Sequence, residues 1–193
     1  REKIDFDSID DEDDKALEDA SYLRPTADSK FFRSGQINYD LLTETAFHVD
    51  KRLKSERNDG SIIIFLPGVG EINRCCDRLG SADSSKSLVI LPLHSALTPD
   101  DQKRVFNKYA NKRKIVVSTN IAETSITIDD CVATIDTGRV KTMYYNSKDN
   151  TTKLTETFVS RAEAKQRRGR AGRVREGYSY KLFSKNLYEQ QMV

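Results

Sequence analysis

The sequence has few of the features that membrane, secreted or metal-stabilised proteins need. No apolar run approaches the roughly 18 to 20 residues that a membrane span requires. The cysteines stand at only three positions, Cys75, Cys76 and Cys131, a pattern that fits neither a zinc spacing nor a disulfide framework. The first 20 residues are acidic rather than apolar, unlike a secretion signal. We therefore expect an intracellular protein with no membrane span and no structural metal, whose cysteines are packing residues.

Charge is divided unevenly along the 193 residues. Residues 1–20 carry ten acidic and three basic side chains, so the rest of the chain has a net charge of +9 within an overall charge of +2. A basic body favours a polyanionic partner, whereas an acidic stretch with few apolar residues favours disorder. We predict that residues 1–30 form a disordered linker or insertion, because clustered acids without a glycine turn are typical of a solvated run and not of a metal site.

From residue 38 onward, helices and strands are predicted to alternate. A helix with apolar residues at helical spacing follows Asn38, and residues 61–66 form a continuous apolar run typical of a strand buried on both faces. Further strands are predicted at residues 87–93, 114–118, 132–135 and 178–183, with helices at residues 71–79 and from Thr98 through Tyr109. This alternation predicts an α/β fold with a doubly wound, mostly parallel sheet and helices on both faces.

A different pattern follows the fourth strand. Residues 139–145 and 153–159 are β-prone runs that flank a loop of turn-forming residues, which predicts an antiparallel hairpin. Ser160 then caps a predicted helix that leads into an arginine-rich segment. We assign residues 31–183 to one folded lobe and residues 184–193 to the start of a connection to a following domain.

The arginine-rich segment runs from Gln166 to Arg173 and reads Gln-Arg-Arg-Gly-Arg-Ala-Gly-Arg. Its guanidinium groups are suited to gripping a polyphosphate, although a solvated basic helix is the alternative from composition alone. A second polar segment, residues 118–129, follows the third predicted strand, where α/β sheets bind ligands. Its hydroxyl, amide and carboxylate groups can hydrogen-bond phosphate and ribose, although an ordinary polar loop has the same composition.

These two segments resemble motifs V and VI of the DEAH-box/RNA-helicase-A branch of superfamily 2 helicases. Residues 65–72, which begin Phe65-Leu66-Pro67-Gly68, resemble motif IV, and residues 92–106 resemble the segment that follows it. The resemblance covers residues 62–183, with the motifs in the family's order. It implies the second lobe of such an enzyme, with a RecA-like sheet and an inserted antiparallel β-hairpin.

The resemblance implies that ATP binds against this lobe. It assigns Arg170 and Arg173 to the γ-phosphate, Gln166 to placing the γ-phosphate or the attacking water, Ser125 to sensing the nucleotide, Asp129 to the ribose and Phe106 to stacking on the base. Cationic donors aimed at a transferring phosphoryl group stabilise the charge that develops in the transition state. For Phe106, a core aromatic on an amphipathic helix is the alternative.

The same resemblance implies RNA as the polyanionic partner. Thr119 matches the position that binds the RNA backbone, Asn120 would assist it, and Arg167 is assigned to RNA contact with packing as the alternative. Contacts to phosphate and sugar would tolerate many sequences and weaken with salt. The hairpin would help to part strands or would dock the C-terminal domains of the same polypeptide. The ribosome is a further candidate partner, and the hairpin and closing motif resemble those of cytoplasmic rather than nuclear members.

The sequence contains neither a Gly-x-x-x-x-Gly-Lys-Ser/Thr phosphate loop nor an Asp-Glu-x-His box. The lysine and the Mg²⁺ ligands that hold the β- and γ-phosphates are therefore expected on a first RecA-like lobe outside this chain. We interpret the chain as half of the motor of an ATP-dependent RNA helicase, inactive by itself. A non-catalytic RNA- or ribosome-binding module and a lobe that acts on DNA are the alternatives.

Two positions depart from the family pattern. Pro67 stands where motif IV often has threonine, which removes a hydroxyl and a backbone donor. Asp130 stands where a glycine frequently follows the ribose-binding acid, here Asp129. Neither departure changes the predicted sheet or the order of the motifs.

Overall fold

The computed structural model describes residues 36–146, 150–173, 176–190 and 192. The chain divides into the units Arg1–Gln36 and Ile37–Val193, and only Gln36 of the first unit is described. The predicted disorder of residues 1–30 lies outside the described residues, and the predicted domain limits stay predictions. Among the helices of the described part, none is long and apolar enough to cross a membrane.

The lobe is built on a five-stranded parallel sheet. The described strands are β1 (Ser61–Phe65), β2 (Leu88–Leu93), β3 (Arg113–Ser118), β4 (Cys131–Asp136), β5 (Arg139–Asn146), β6 (Thr151–Phe158) and β7 (Tyr178–Lys181). The sheet has the order β2-β3-β1-β4-β7, and each neighbouring pair is parallel. All its carboxyl ends therefore lie along one edge and all its amino ends along the other, and the predicted parallel α/β architecture is confirmed.

Helices cover both faces of this sheet. They are α1 (Tyr39–Ser55), α2 (Val69–Ala82), α3 (Pro99–Lys103), α4 (Ile121–Thr124), α5 (Arg161–Arg168) and α6 (Lys185–Gln190), with a 3-10 turn at Arg104–Phe106. Local signals in the sequence explain where the long helices begin. The Asn38 side chain accepts a hydrogen bond from the backbone N–H of Leu41 (3.0 Å) at the start of α1. Ser160 and Glu163 form a reciprocal capping box at the start of α5.

The helix predicted from Thr98 through Tyr109 ends early. The 3-10 turn after α3 ends at Phe106, and Asn107 is extended, with φ −69° and ψ 146°. The carbonyl oxygens of Val105 and Asn107 accept hydrogen bonds from the buried ammonium group of Lys114. These side-chain contacts replace the backbone hydrogen bonds that a longer helix would have made.

Alternate side chains of the central strands pack on opposite faces of the sheet. Ile62 and Ile64 belong to the cluster on the first face, where α1 and α2 pack. Ile63 and Phe65 belong to the cluster on the second face, which includes Val105 from the 3-10 turn and residues of α4. All five residues of β1 are buried, which confirms the strand predicted to be buried on both faces.

The hairpin of β5 and β6 forms a separate two-stranded antiparallel sheet, as predicted. Its outer part is exposed: Met143, Tyr144 and Leu154 have 67%, 65% and 57% of their surface accessible. Near its base, Lys141 Nζ lies 2.8 Å from both carboxylate oxygens of Glu71 in α2. This ion pair joins the base of the hairpin to the helix that covers the sheet.

Asp83 joins the end of α2 to the start of β2. Its carboxylate accepts hydrogen bonds from the backbone N–H groups of Ser87 (3.2 Å) and Leu88 (2.9 Å) and from the Ser85 hydroxyl (3.0 Å). Burial acts to raise the pKa of Asp83, but these hydrogen bonds together lower it below its ordinary value. The ionised form is therefore the one that stabilises the fold.

We expect Asp83→Asn to lower the free energy of unfolding at neutral pH by about 1 to 3 kcal/mol, because an amide N–H₂ would face a buried backbone N–H. A lowered folded-state pKa gives a contribution that is present above the unfolded-state pKa and is lost as the pH falls through the folded-state value. The variant should therefore lose stability less steeply on acidification. Urea unfolding from neutral pH to roughly pH 3 tests this, with the exposed Ser84→Ala as control. The same pH dependence in both proteins would contradict it.

Candidate functional site

Arg167, in the last turn of α5, is fully buried, with 0% of its surface accessible. Its Nε donates to Glu123 Oε2 (3.1 Å), and its Nη1 donates to Asp136 Oδ1 (2.8 Å). Both Nη atoms also lie 3.3 Å from the carbonyl oxygen of Arg139. The guanidinium carbon is 5.0 Å from the centre of the Phe65 ring. Arg167 therefore joins α4, the end of β4 and the first residue of the hairpin.

These contacts correct the assignment of Arg167 to RNA contact. Each guanidinium nitrogen is already bonded inside the lobe, and a buried group of this kind cannot meet a nucleic acid at the surface. Packing, the alternative left open by the sequence, is the role that the structure gives it. Burial raises the pKa of Glu123, and the hydrogen bond and charge of Arg167 offset only part of that effect.

Arg170 and Arg173 follow this buried anchor and reach the surface. Arg170 is half-buried, whereas Arg173 and Gln166 are exposed. Gly172 has φ +84°, and its backbone N–H donates to the carbonyl of Cys131 (3.4 Å) at the start of β4. Partial burial, followed by the like charge of Arg173, lowers the pKa of Arg170. A polyanion close to this pair would relieve their repulsion.

The polar segment after β3 crosses the second face of the sheet from one edge to the other. Thr119 lies at the carboxyl edge, where its backbone N–H donates to the carbonyl of Leu93 (3.2 Å). Asp130 lies at the amino edge, where its carbonyl accepts from the backbone N–H of Ser61 (2.8 Å). The expectation that the segment lies at the carboxyl ends of the strands therefore holds for Thr119 but is wrong for Asp129, because the chain returns toward the start of β4.

The structure separates the predicted site residues into two groups. The first group, at the carboxyl edge, contains the half-buried Thr119 and the exposed Asn120. The second group, toward the amino edge, contains the exposed Asp129 and the end of the arginine-rich segment. Ser125 is exposed at the end of α4, between the two groups along the chain. α4 is therefore the helix that links the two groups along the chain.

Phe106 belongs to the second group. It is 54% exposed, so the core alternative for this residue is excluded. Both residues that flank Phe106 present their carbonyl oxygens to Nζ of Lys114, which also lies 3.0 Å from Asp130 Oδ2. Lys114 thereby brings the turn of Phe106 and the loop of Asp129 to the same end of β3. Sequence reasoning missed Lys114, although a lysine near the start of an apolar strand was the available signal.

The cysteines pack within the lobe, as predicted. Cys75 and Cys131 are buried and Cys76 is half-buried, and all three are free thiols. Burial raises the pKa of Cys131 to about 12 and that of Cys76 to about 11. Across the residues that the structure describes, no group of three or more histidine, cysteine, aspartate or glutamate side chains could hold a metal ion.

The sequence profile of the helicase conserved C-terminal domain matches residues 40–175, and the chain belongs to this family. Several relatives show that the chain belongs to the DEAH/DExH branch of this family. The chain is 70% identical over 184 residues to the putative ATP-dependent RNA helicase YLR419W of Saccharomyces cerevisiae, covering 95% of this chain and 13% of that protein. It is 41% identical over 157 residues to the ATP-dependent RNA helicase DHX29 of Homo sapiens, covering 80% of this chain and 12% of that protein.

A solved structure shows the same fold. The crystal structure of the E. coli DExH-box NTPase HrpB superposes with a TM-score of 0.67 and 33% identity, over 80% of this chain and 19% of that one. The RecA-like fold that the motifs implied is therefore confirmed. The chain spans only 13% of the length of its yeast relative, so it corresponds to a small part of such a protein. The family match assigns residues 40–175 to the helicase C-terminal domain.

Proposed function

We propose that this chain is the second motor lobe of an ATP-dependent RNA helicase. It supplies arginine fingers to ATP bound in the cleft between two lobes, and it grips the RNA backbone so that hydrolysis drives translocation or unwinding. The observation that carries the proposal is the buried Arg167, which fixes the segment from which Arg170 and Arg173 reach the surface. The relatives named as ATP-dependent RNA helicases support the same assignment.

At the phosphate end, Arg170 and Arg173 stabilise the charge that develops on the γ-phosphoryl group. Arginine suits this role because its planar fork matches phosphate oxygens bidentately and stays charged. Gln166, exposed in the last turn of α5, places the γ-phosphate or the attacking water. Mg²⁺, which bridges the β- and γ-phosphates in such enzymes, would be held by the first lobe.

At the nucleoside end, Phe106 stacks on the base and Asp129 accepts hydrogen bonds from the ribose hydroxyls. Both side chains are exposed, and Lys114 bonds to the residues that follow each of them in the sequence, which fits this role. Stacking on an exposed phenylalanine tolerates any base, since each base has a π-face. We therefore expect weak discrimination among nucleoside triphosphates.

On the carboxyl edge, Thr119 and Asn120 bind the RNA backbone through phosphate and sugar. Ser125 and α4 connect this edge to the nucleotide, because Glu123 in α4 is bonded to Arg167 in the arginine-rich segment (3.1 Å). A shift of that segment on ATP hydrolysis is therefore transmitted to the RNA grip. The exposed hairpin meets the RNA duplex or a C-terminal domain, and the ribosome contact and the cytoplasmic location stay predictions.

The test is RNA-stimulated ATP hydrolysis by this chain alone and by the full-length protein. We expect no turnover by the chain alone, because it lacks a phosphate loop, and turnover by the full-length protein that rises on addition of RNA. Duplex and single-stranded DNA in place of RNA serve as the matched controls.

Three results would contradict the proposal. Turnover by the chain alone would mean that the nucleotide site is misplaced. Equal stimulation by DNA and RNA would favour a lobe that is not restricted to RNA. RNA binding without hydrolysis by the full-length protein would favour a non-catalytic RNA- or ribosome-binding module.

A further inference from the structure

Lys114 is buried at the start of β3, with 4% of its surface accessible. Its neighbour Arg113 bonds to Asp50 of α1 on the first face of the sheet, so Lys114 extends to the second face. Its Nζ lies 2.5 Å from the carbonyl of Val105, 3.1 Å from the carbonyl of Asn107 and 3.0 Å from Asp130 Oδ2. An ammonium group has three N–H donors, and each has an acceptor here.

These three contacts join segments that are distant in the sequence. The two carbonyl oxygens flank Phe106 in the 3-10 turn, and the carboxylate belongs to the residue after Asp129. The second oxygen of Asp130 is also held, since Oδ1 accepts from the Ser61 hydroxyl (2.8 Å). Both the turn and the loop are therefore fixed to the start of the sheet through one buried ammonium group.

We propose that Lys114 is a positioning residue for the nucleoside end of the ATP site. It sets the separation between Phe106 and Asp129, so that a base stacks on the first while its ribose reaches the second. The inference rests on the proposed function. Asp130, which stands where the family pattern frequently has glycine, supplies the carboxylate for this contact.

Geometry explains why the effect should fall on nucleoside recognition. Lys114 binds the carbonyl oxygens on both sides of Phe106, so its loss frees the turn that holds the aromatic ring. Losing the stacking contact between an aromatic ring and a base can weaken binding by about 10- to 100-fold. The arginine-rich segment is held at its start by Arg167, at the other end of β4, and near its end by the hydrogen bond from the Gly172 N–H to the Cys131 carbonyl. Lys114 makes neither of these contacts.

The experiment uses Lys114→Met in the full-length protein, because methionine keeps an unbranched apolar side chain and removes the three donors. The KM for ATP and the inhibition constant of ADP are measured beside the inhibition constant of inorganic tripolyphosphate, which has no nucleoside. We expect the KM for ATP and the inhibition constant of ADP to rise by about 10- to 100-fold. The tripolyphosphate constant and kcat should stay close to those of the wild type. The matched control is Lys112→Met, which removes an exposed lysine two residues earlier.

A second variant separates positioning from stability. Lys114→Met leaves the Asp130 carboxylate without its cation, and this alone could impair folding. The double variant Lys114→Met with Asp130→Gly removes that carboxylate, so its Tm should recover toward the wild-type value. Its KM for ATP should remain raised, since the carbonyl oxygens beside Phe106 still have no donor. If the single variant does not fold, the KM for ATP of the double variant tests the role of Lys114.

The outcomes distinguish this inference from the function on which it rests. A wild-type protein without ATP turnover would overturn the proposed function and this inference together. If Phe106→Ala raises the KM for ATP but the Lys114 variants do not, only the role of Lys114 is wrong. An equal loss of affinity for ATP and for tripolyphosphate would also overturn it, because that result indicates a general structural effect.

Discussion

Arg170→Ala in the full-length protein should lower kcat for RNA-stimulated ATP hydrolysis by about 10³- to 10⁵-fold, the range found for arginine fingers. Arg170 is half-buried, and it follows directly on the segment anchored by Arg167. Its backbone N–H donates to the Arg167 carbonyl (3.2 Å), so the main chain that carries its guanidinium group is fixed before the lobes close on a γ-phosphate. RNA affinity without nucleotide should stay close to that of the wild type, because the proposed RNA group lies at the other edge of the sheet.

Two further variants make this prediction specific. Arg170→Lys should restore only a small part of the rate, because an ammonium group keeps the charge but cannot bind two phosphate oxygens with a planar fork. Lys165→Ala removes an exposed cation from α5 and should leave kcat unchanged. Steady-state hydrolysis and RNA-binding anisotropy provide the measurements. Unchanged ATP turnover in Arg170→Ala would contradict the assignment of Arg170 as an arginine finger.

Arg113→Met should lower the free energy of unfolding of this chain by about 3 to 5 kcal/mol, the usual cost of removing one partner of a buried ion pair. Arg113 and Asp50 are each 5% exposed, and Nε lies 2.9 Å from Asp50 Oδ1. The same guanidinium group donates to the carbonyl oxygens of Gly60 and Asn58, which precede β1. The substitution therefore removes the buried cation from the Asp50 carboxylate, leaves it paired with the mostly exposed Lys54, and removes a donor from two carbonyl groups. It should also loosen α1 from the sheet.

Urea unfolding measures this effect, and a double variant identifies its cause. Arg113→Met combined with Asp50→Leu should cost less than Arg113→Met alone, since no buried carboxylate is then left without its buried cation. Lys54→Met removes the mostly exposed second partner of Asp50 (2.7 Å) and should cost at most about 1 kcal/mol. A loss of similar size for Lys54→Met and Arg113→Met would contradict the importance of burial.

Local patterns were sufficient to predict most elements of this fold. The apolar run of residues 61–66 contains a strand buried on both faces, and the β-prone runs 139–145 and 153–159 correspond to the two strands of the hairpin. Caps predicted at Asn38 and Ser160 are the caps of α1 and α5. Each of these signals lies within a few residues of the structure it specifies, and so it can be read without tertiary contacts.

The candidate site was predicted in part. The motifs identified the segments, but the division into two groups at opposite edges of the sheet depends on how the chain crosses the second face. The carbonyl groups on both sides of Phe106, where the 3-10 turn ends, are bonded to Lys114, which is eight residues further along the chain. A contact of this kind depends on a single buried donor, so it leaves no periodic pattern in the sequence.

The octapeptide from Gln166 to Arg173 shows most clearly what sequence and tertiary structure each determined. The sequence by itself determined that this segment contains a set of arginines suited to binding phosphate. It also determined that the segment forms a motif of the family. Only the tertiary structure decided that Arg167 packs inside the lobe while Arg170 and Arg173 reach its surface. The physical reason is that a guanidinium group can be buried only where acceptors surround it, and those acceptors come from Glu123, 44 residues away, and from Asp136 and Arg139, 31 and 28 residues away.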